Sequence, residues 1–170
     1  MIKKFLVVLS CAVIIIGALH RVHLKYLNHG PAPLIIINLD DPAEYADARI
    51  PGSINIPLGF YNPSHDIDEY AESLDKRSNI IVYSSFHTHS APGLAAKRLK
   101  DLGFEKVWAY EGGTVEWVQR GYPTQGPQKK EWLKYSREWP AGCTGYSGGQ
   151  PTIDCVALKD KMTAAGLLKG

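Results

Sequence analysis

Cysteine is scarce in this chain of 170 residues: Cys11, Cys143 and Cys155 are the whole supply, so no thiol stands anywhere from Ala12 to Gly142. That gap excludes a thiolate nucleophile and a Cys-x-x-Cys redox pair from the middle of the chain. Acidic residues are absent from the first thirty positions, which hold Lys3, Lys4, Arg21 and Lys25. The formal charge of +2 is therefore misleading, because the remainder carries 15 basic against 17 acidic residues. With no basic stripe, nucleic acid is not an expected partner. No internal repeat is visible, and the N-terminal apolar stretch, Phe5 to Leu19, is short for a spanning helix.

What is present suits one domain with extensions, since 45% of the residues are hydrophobic. Leu34-Ile35-Ile36-Ile37-Asn38-Leu39 is a continuous apolar run rich in β-branched residues and reads as a buried strand. Asp40 or Asp41 can cap a helical turn over Pro42 to Tyr45. Ile54 to Ile56 reads as a brief strand, Ile67 to Leu74 as a short helix and Ile80 to Tyr83 as another strand. Beyond a loop, Ala91, Leu94, Ala95, Leu99 and Leu102 fall on one helical face, with Ser90 as N-cap, Pro92 in the first turn and Gly103 as the stop. Val107 to Tyr110 is a further strand and Thr114 to Arg120 a further helix. Alternation of this kind implies an α/β fold, a parallel central sheet flanked by helices on both faces. Ligands of such sheets sit beyond the carboxyl ends of the strands, where Ser84 to His89 falls.

Lys3-Lys4 followed by Phe5 to Leu19 matches a signal-peptide core. Cleavage after Ala18 is allowed, with Ile16 at the −3 position, but a polar c-region is missing. The closely following Arg21, His23 and Lys25 favour an uncleaved anchor. Val8-Leu9-Ser10-Cys11 loosely resembles a lipobox, yet apolar residues continue past Cys11, which reads as a small membrane-facing residue. The expected location is membrane-anchored and facing the periplasm or another extracytoplasmic side, or secreted to it, with the membrane as a partner through the N-terminal segment.

Export gives meaning to Cys143 and Cys155, which lie in and after a turn-rich stretch leading to a helix around Val156 to Leu168. A structural disulfide between them is expected, worth about 3 kcal/mol for a loop this short. The sharper alternative is a redox pair, disfavoured because neither cysteine has a nearby base or Cys-x-x-Cys spacing. The segment from Gln125 to Pro140, with Trp132, Tyr135 and Trp139 among its charges, reads as an arm packed back on the domain.

Three patches carry a family resemblance. Tyr45-Ala46-Asp47-Ala48-Arg49-Ile50-Pro51-Gly52-Ser53-Ile54-Asn55-Ile56-Pro57 resembles the first motif of the rhodanese family, with Arg49 in the usual histidine position. Val107-Trp108-Ala109-Tyr110-Glu111-Gly112-Gly113-Thr114-Val115-Glu116-Trp117 is similar to the second, departing mainly at Thr114, and Gly121-Tyr122-Pro123 closes the domain as family members commonly do. The loop Ser84-Ser85-Phe86-His87-Thr88-His89 resembles the active-site loop, in which the family's persulfide-carrying cysteine stands at the position of Ser84. The resemblance implies a rhodanese-like domain over residues 31–126, preceded by a signal anchor or signal peptide plus stalk (1–30) and followed by a C-terminal extension (127–170).

A serine cannot carry a persulfide, and its hydroxyl is a poor nucleophile without a base. No catalytic residue is therefore assigned, no cofactor is expected, and Ser84 is a degenerate position. Family loops of this length turn successive amides inward, and a helix beginning at Ser90 adds its positive end. Weak binding of a small oxyanion by the amides of Ser85 to Ser90, with the Thr88 hydroxyl, is the expected residual property. His89 stands where family loops often carry arginine, which weakens anion affinity at neutral pH. His87 and His89 could ligate a metal only with a third group such as His65, so no metal site is assigned. Asn38-Leu39-Asp40 replaces the family's usual Asp-x-Arg. These readings combine into a sulfurtransferase-like pseudoenzyme that serves as a binding or scaffolding domain in an envelope redox or sulfur-related system, with an envelope protein as partner. The alternative is a non-standard sulfurtransferase that uses Cys143 or Cys155 as sulfur carrier.

Overall fold

The computed structural model describes residues 32–58, 65–86, 90–134 and 149–169. The chain divides between Ala32 and Pro33 into two units, and the fold below is that of the second. The expected signal or anchor lies outside the described residues, among which no helix is long and apolar enough to cross a membrane.

Leu34–Asn38 (β1), Ile54–Asn55 (β2), Asn79–Tyr83 (β3) and Val107–Tyr110 (β4) form a parallel sheet in the order β2-β1-β3-β4. The intervening helices are Pro42–Asp47 (α1), His65–Glu72 (α2), Ala91–Asp101 (α3) and Gly113–Gln119 (α4), followed by a 3₁₀ turn at Glu131–Lys134 and a last helix, Cys155–Ala164 (α5). The expected α/β architecture is the observed one.

Strand alternation sorts the core into two layers. Ile37, Ile80, Val82, Val107 and Ala109 face α2 and α3, where Ile67, Ala71, Ala95, Ala96 and Leu99 complete one cluster. Ile36, Ile81, Tyr83 and Tyr110 face the other way, against Trp117 of α4 and Leu158 and Met162 of α5. The continuous apolar runs of β1 and β3 thus reflect a sheet buried on both sides.

Local signals place the helix ends with two corrections. Asp41 caps α1, its Oδ1 accepting from the amides of Ala43 (2.7 Å) and Glu44 (3.1 Å). Gly103, at φ +90, ends α3 as expected. Ser90, expected as the N-cap of α3, makes no side-chain capping bond and has helical dihedrals of its own. Leu94, expected on the buried face, is 59% exposed. The small residues Pro92, Ala95 and Ala96 are buried with Leu99; they let α3 lie close to the sheet, and Leu94 falls on the opposite side of the helix.

The C-terminal extension is built into this core. Ala109 of β4 donates its amide to the Pro151 carbonyl (3.0 Å) and accepts from the Ile153 amide (3.1 Å), a parallel bridge centred on Thr152. Residues 151–153 therefore cover the edge of β4, a position otherwise open to unwanted strand pairing. The chain between is strapped down at Asp47, whose carboxylate accepts the amides of Lys129 and Lys130, both at 3.0 Å. Gly126 allows this approach: its φ is +114, and a Cβ there would stand 2.2 Å from the Asp47 carbonyl oxygen. Leu133 then buries itself as the arm packs back, while Tyr135 and Trp139 lie outside the described residues.

Leu158→Ala should cost about 2–5 kcal/mol in urea unfolding, the range for a fully buried leucine. Val156→Ala, on the exposed side of the same helix, should stay within about 0.5 kcal/mol. Equal, small losses at both positions would show that α5 is an appended tail.

Candidate functional site

The carboxyl ends of three strands converge on the loop that follows β3. Ser84 and Ser85, its first two residues, are 2% and 1% exposed. Buried backbone needs partners, and α4 supplies them. The amide of Thr114 donates to the Ser84 carbonyl (3.0 Å) and that of Val115 to the Ser85 carbonyl (3.1 Å). Amides at the start of α4, which have no partners within the helix, thus hold the loop.

Two glycines make the approach possible. Gly113 has φ +63, and a Cβ on it would lie 2.2 Å from the Ser84 carbonyl oxygen. A Cβ on Gly112 would lie 1.7 Å from Glu116 Oε2. Glu116 is itself buried and accepts from the Tyr110 hydroxyl (3.0 Å) while pairing with Arg120 at 2.8 Å. The Glu111-Gly112-Gly113 sequence is therefore a packing solution for the base of the loop. The closing Gly121-Tyr122-Pro123 is another, since the Trp117 indole N–H donates to the Pro123 carbonyl (2.8 Å) and Tyr122 packs edge-on against the same ring.

The first strand contributes an acid. Asp40, buried at the end of β1, accepts the Ser85 amide on Oδ1 at 2.8 Å and the Asn38 side-chain amide on Oδ2, also at 2.8 Å. Asn55 of β2 ties the same turn by donating to Asn38 Oδ1 (3.0 Å) and to the Asp40 carbonyl (2.8 Å). The Ser85 hydroxyl donates to Glu44 Oε2 at a long 3.4 Å. The Ser85 amide, expected to face an anion, thus donates to a carboxylate of the chain itself. A second aspartate beside the helix cap was the sequence signal, since only one of Asp40 and Asp41 is needed to cap α1.

The hydroxyls of Ser84 and Thr114 are buried without a hydrogen-bond partner. Serine nucleophiles are activated by a hydrogen-bonded base, and Ser84 Oγ makes no such bond. Phe86 is half-buried and Ser90 exposed, whereas His87, Thr88 and His89 lie outside the described residues, as does any ligand set built on them. Among the described residues no cluster of His, Cys, Asp and Glu could hold a metal.

Cys155 is a free, buried thiol at the start of α5, and Cys143 lies outside the described residues, so the expected disulfide has no counterpart among them. Burial, then the nearby Glu116 carboxylate, push the Cys155 thiol up to about 11. Burial and the same carboxylate hold the Tyr110 phenol well above its ordinary range. A thiol in such a site is protonated at neutral pH and inert.

The sequence model of the rhodanese-like domain matches residues 22–120. The chain belongs to the rhodanese-like domain family. It is 29% identical over 85 residues to the provisionally named sulfur carrier protein YrkF of Bacillus subtilis, covering 50% of this chain and 42% of that protein. Over 100 residues it is 26% identical to the adenylyltransferase and sulfurtransferase uba4 of Ogataea parapolymorpha, covering 59% of this chain and 24% of that protein. The chain thus spans less than half the length of these curated relatives. Among solved structures, the rhodanese-like domain of the Alr3790 protein from Anabaena sp. is 28% identical, with a TM-score of 0.47, covering 61% of this chain and 96% of that one. The chain is a rhodanese-like domain related to sulfur-carrier and sulfurtransferase proteins.

Gly113→Ala should cost more than about 2 kcal/mol, because it combines a left-handed dihedral with a backbone clash. Amide spectra should show Ser84 and Ser85 displaced. An unchanged unfolding midpoint would show that α4 does not need its close approach to the loop.

Proposed function

We propose that this chain is a binding or scaffolding module of the rhodanese-like family that does not carry sulfur on its loop. The observation that carries the reading is Ser84: an alcohol, buried and without a base, stands where the family's persulfide cysteine is expected. Oxygen offers no counterpart of a persulfide, so the loop can hold but not transfer. Likeness to relatives named for sulfur carriage and sulfur transfer supports a sulfur-related or redox setting.

The module acts on the outer side of a membrane, tethered or delivered by residues 1–30. Lys3-Lys4, the apolar Phe5 to Leu19 and the basic residues that follow support this placement. In carbonate extraction the chain should stay with the membrane pellet. Release of all of it, with residues 1–30 still attached, overturns the tether.

The alternative, a sulfurtransferase working through a distal thiol, is disfavoured at Cys155 by that thiol's burial and raised pKa. Thiosulfate incubation discriminates, since a loaded thiolate gains about 32 Da. The expected result for the intact chain is no adduct on Cys155 or Cys143, and an adduct on either favours the enzyme. In Ser84→Cys, a new thiolate could attack the outer sulfur of thiosulfate, forming a Cys–S–S bond as the S–S bond of thiosulfate breaks and sulfite leaves with the electron pair. An adduct that appears when this variant also carries Asp40→Ser, which frees the Ser85 amide held by the Asp40 carboxylate, is the expected outcome. Turnover of thiosulfate by the unaltered chain at rates typical of sulfurtransferases overturns the proposal.

A further inference from the structure

The loop is already carrying an anion, and the chain itself supplies it. Asp40 Oδ1 lies 2.8 Å from the Ser85 amide nitrogen, at the junction where the strand gives way to the loop. An oxyanion entering a strand-to-helix loop seeks such inward amides. The carboxylate is not a loose surface group that an anion could push aside. It is buried, its other oxygen accepts from Asn38 Nδ2 at 2.8 Å, its own amide donates to Asn38 Oδ1 at 3.0 Å, and its carbonyl accepts from Asn55 Nδ2 at 2.8 Å. Asn38 and Asn55 thus fix the turn on which Asp40 stands, so the carboxylate is aimed at Ser85 before any ligand arrives. Glu44, from the first helix, stands over the same residue, 3.4 Å from the Ser85 hydroxyl.

We infer that Asp40 is the specificity-determining residue at the head of this loop: by occupying the Ser85 amide with an intramolecular carboxylate, it keeps small oxyanions off that donor. The inference rests on reading the loop as a site that binds and does not transfer, and it narrows the class of partner. Ligands of this face are not sulfate-like anions but groups that leave the Asp40–Ser85 contact in place. A charge-assisted bond to a carboxylate is among the stronger hydrogen bonds a backbone amide can make, and here its acceptor is tethered and requires no ordering on arrival. A free anion must displace it at the full cost of association.

The test follows the Ser85 amide resonance of the full-length chain during titration with sulfate and with thiosulfate, ionic strength being held constant with chloride. In the unaltered protein no saturable shift should develop through the millimolar range. Asp40→Ser frees the donor, and sulfate should then bind at least about tenfold more tightly than to the unaltered chain. Asp40→Asn preserves the shape of the turn and keeps a neutral, weaker acceptor, so it should gain a smaller but saturable response; it also serves if the serine variant does not fold. Circular dichroism establishes that each variant is native. A saturable Ser85 shift in the unaltered protein, as tight as in the variants, overturns the inference, and so does failure of both folded variants to bind better than the unaltered chain. Sulfate is not a sulfur donor, so neither outcome depends on whether the loop transfers sulfur; that reading fails only by thiosulfate turnover in the unaltered chain.

Discussion

Everything at the business end of this molecule depends on how the two buried serines after β3 are satisfied. A loop that dives into a sheet carries carbonyls and amides with it, and each left bare would cost on the order of 1–3 kcal/mol. The carbonyls of Ser84 and Ser85 take the first amides of α4, and the Ser85 amide takes the Asp40 carboxylate. Three strand ends are thereby cross-tied through one short stretch of backbone. Gly112 and Gly113 are consequences of that tie, because a side chain on either would occupy space already held by Glu116 or by the loop carbonyls.

The second dependence is on residues far along the chain. The family match ends at residue 120, yet the layer of core behind β1, β3 and β4 draws on Ile153, Leu158, Met162 and Leu168. Residues 151–153 cover the edge of β4 and α5 covers the face that Tyr110 and Trp117 would otherwise expose. Asp47 and Gly126 hold the start of the connecting arm against the domain. The same packing explains the chemistry of Cys155: it is placed to fill a core beside Glu116, and a thiol so buried is protected from reaction.

Much of this was legible beforehand, and for identifiable reasons. Runs such as Leu34 to Leu39 and Ile80 to Tyr83, short, apolar and rich in β-branched residues, read as strands buried on both faces, and Asp41-Pro42 is a strong local start signal for a helix. Ser90 misled because an N-cap needs extended dihedrals of its own, and Ser90 is already helical, which residue type does not encode. Leu94 misled because a helix packed on alanines, proline and one leucine can rotate its larger residue outward when the sheet asks for close approach. Asp40 was legible as a spare aspartate beside the helix cap and as a departure from a pattern, but its partner lies forty-five positions away, and no local rule connects them.

Sequence alone determined the α/β class, the order of elements and the lack of a thiol at the head of the loop, because periodicity, turn chemistry and residue identity are local properties. Tertiary structure alone decided that Asp40 fills the loop's donor, that Cys155 is buried, and that the C-terminal segment belongs to the core. Those are properties of atoms distant along the chain, fixed only when the sheet brings its strand ends together and its edges must be covered.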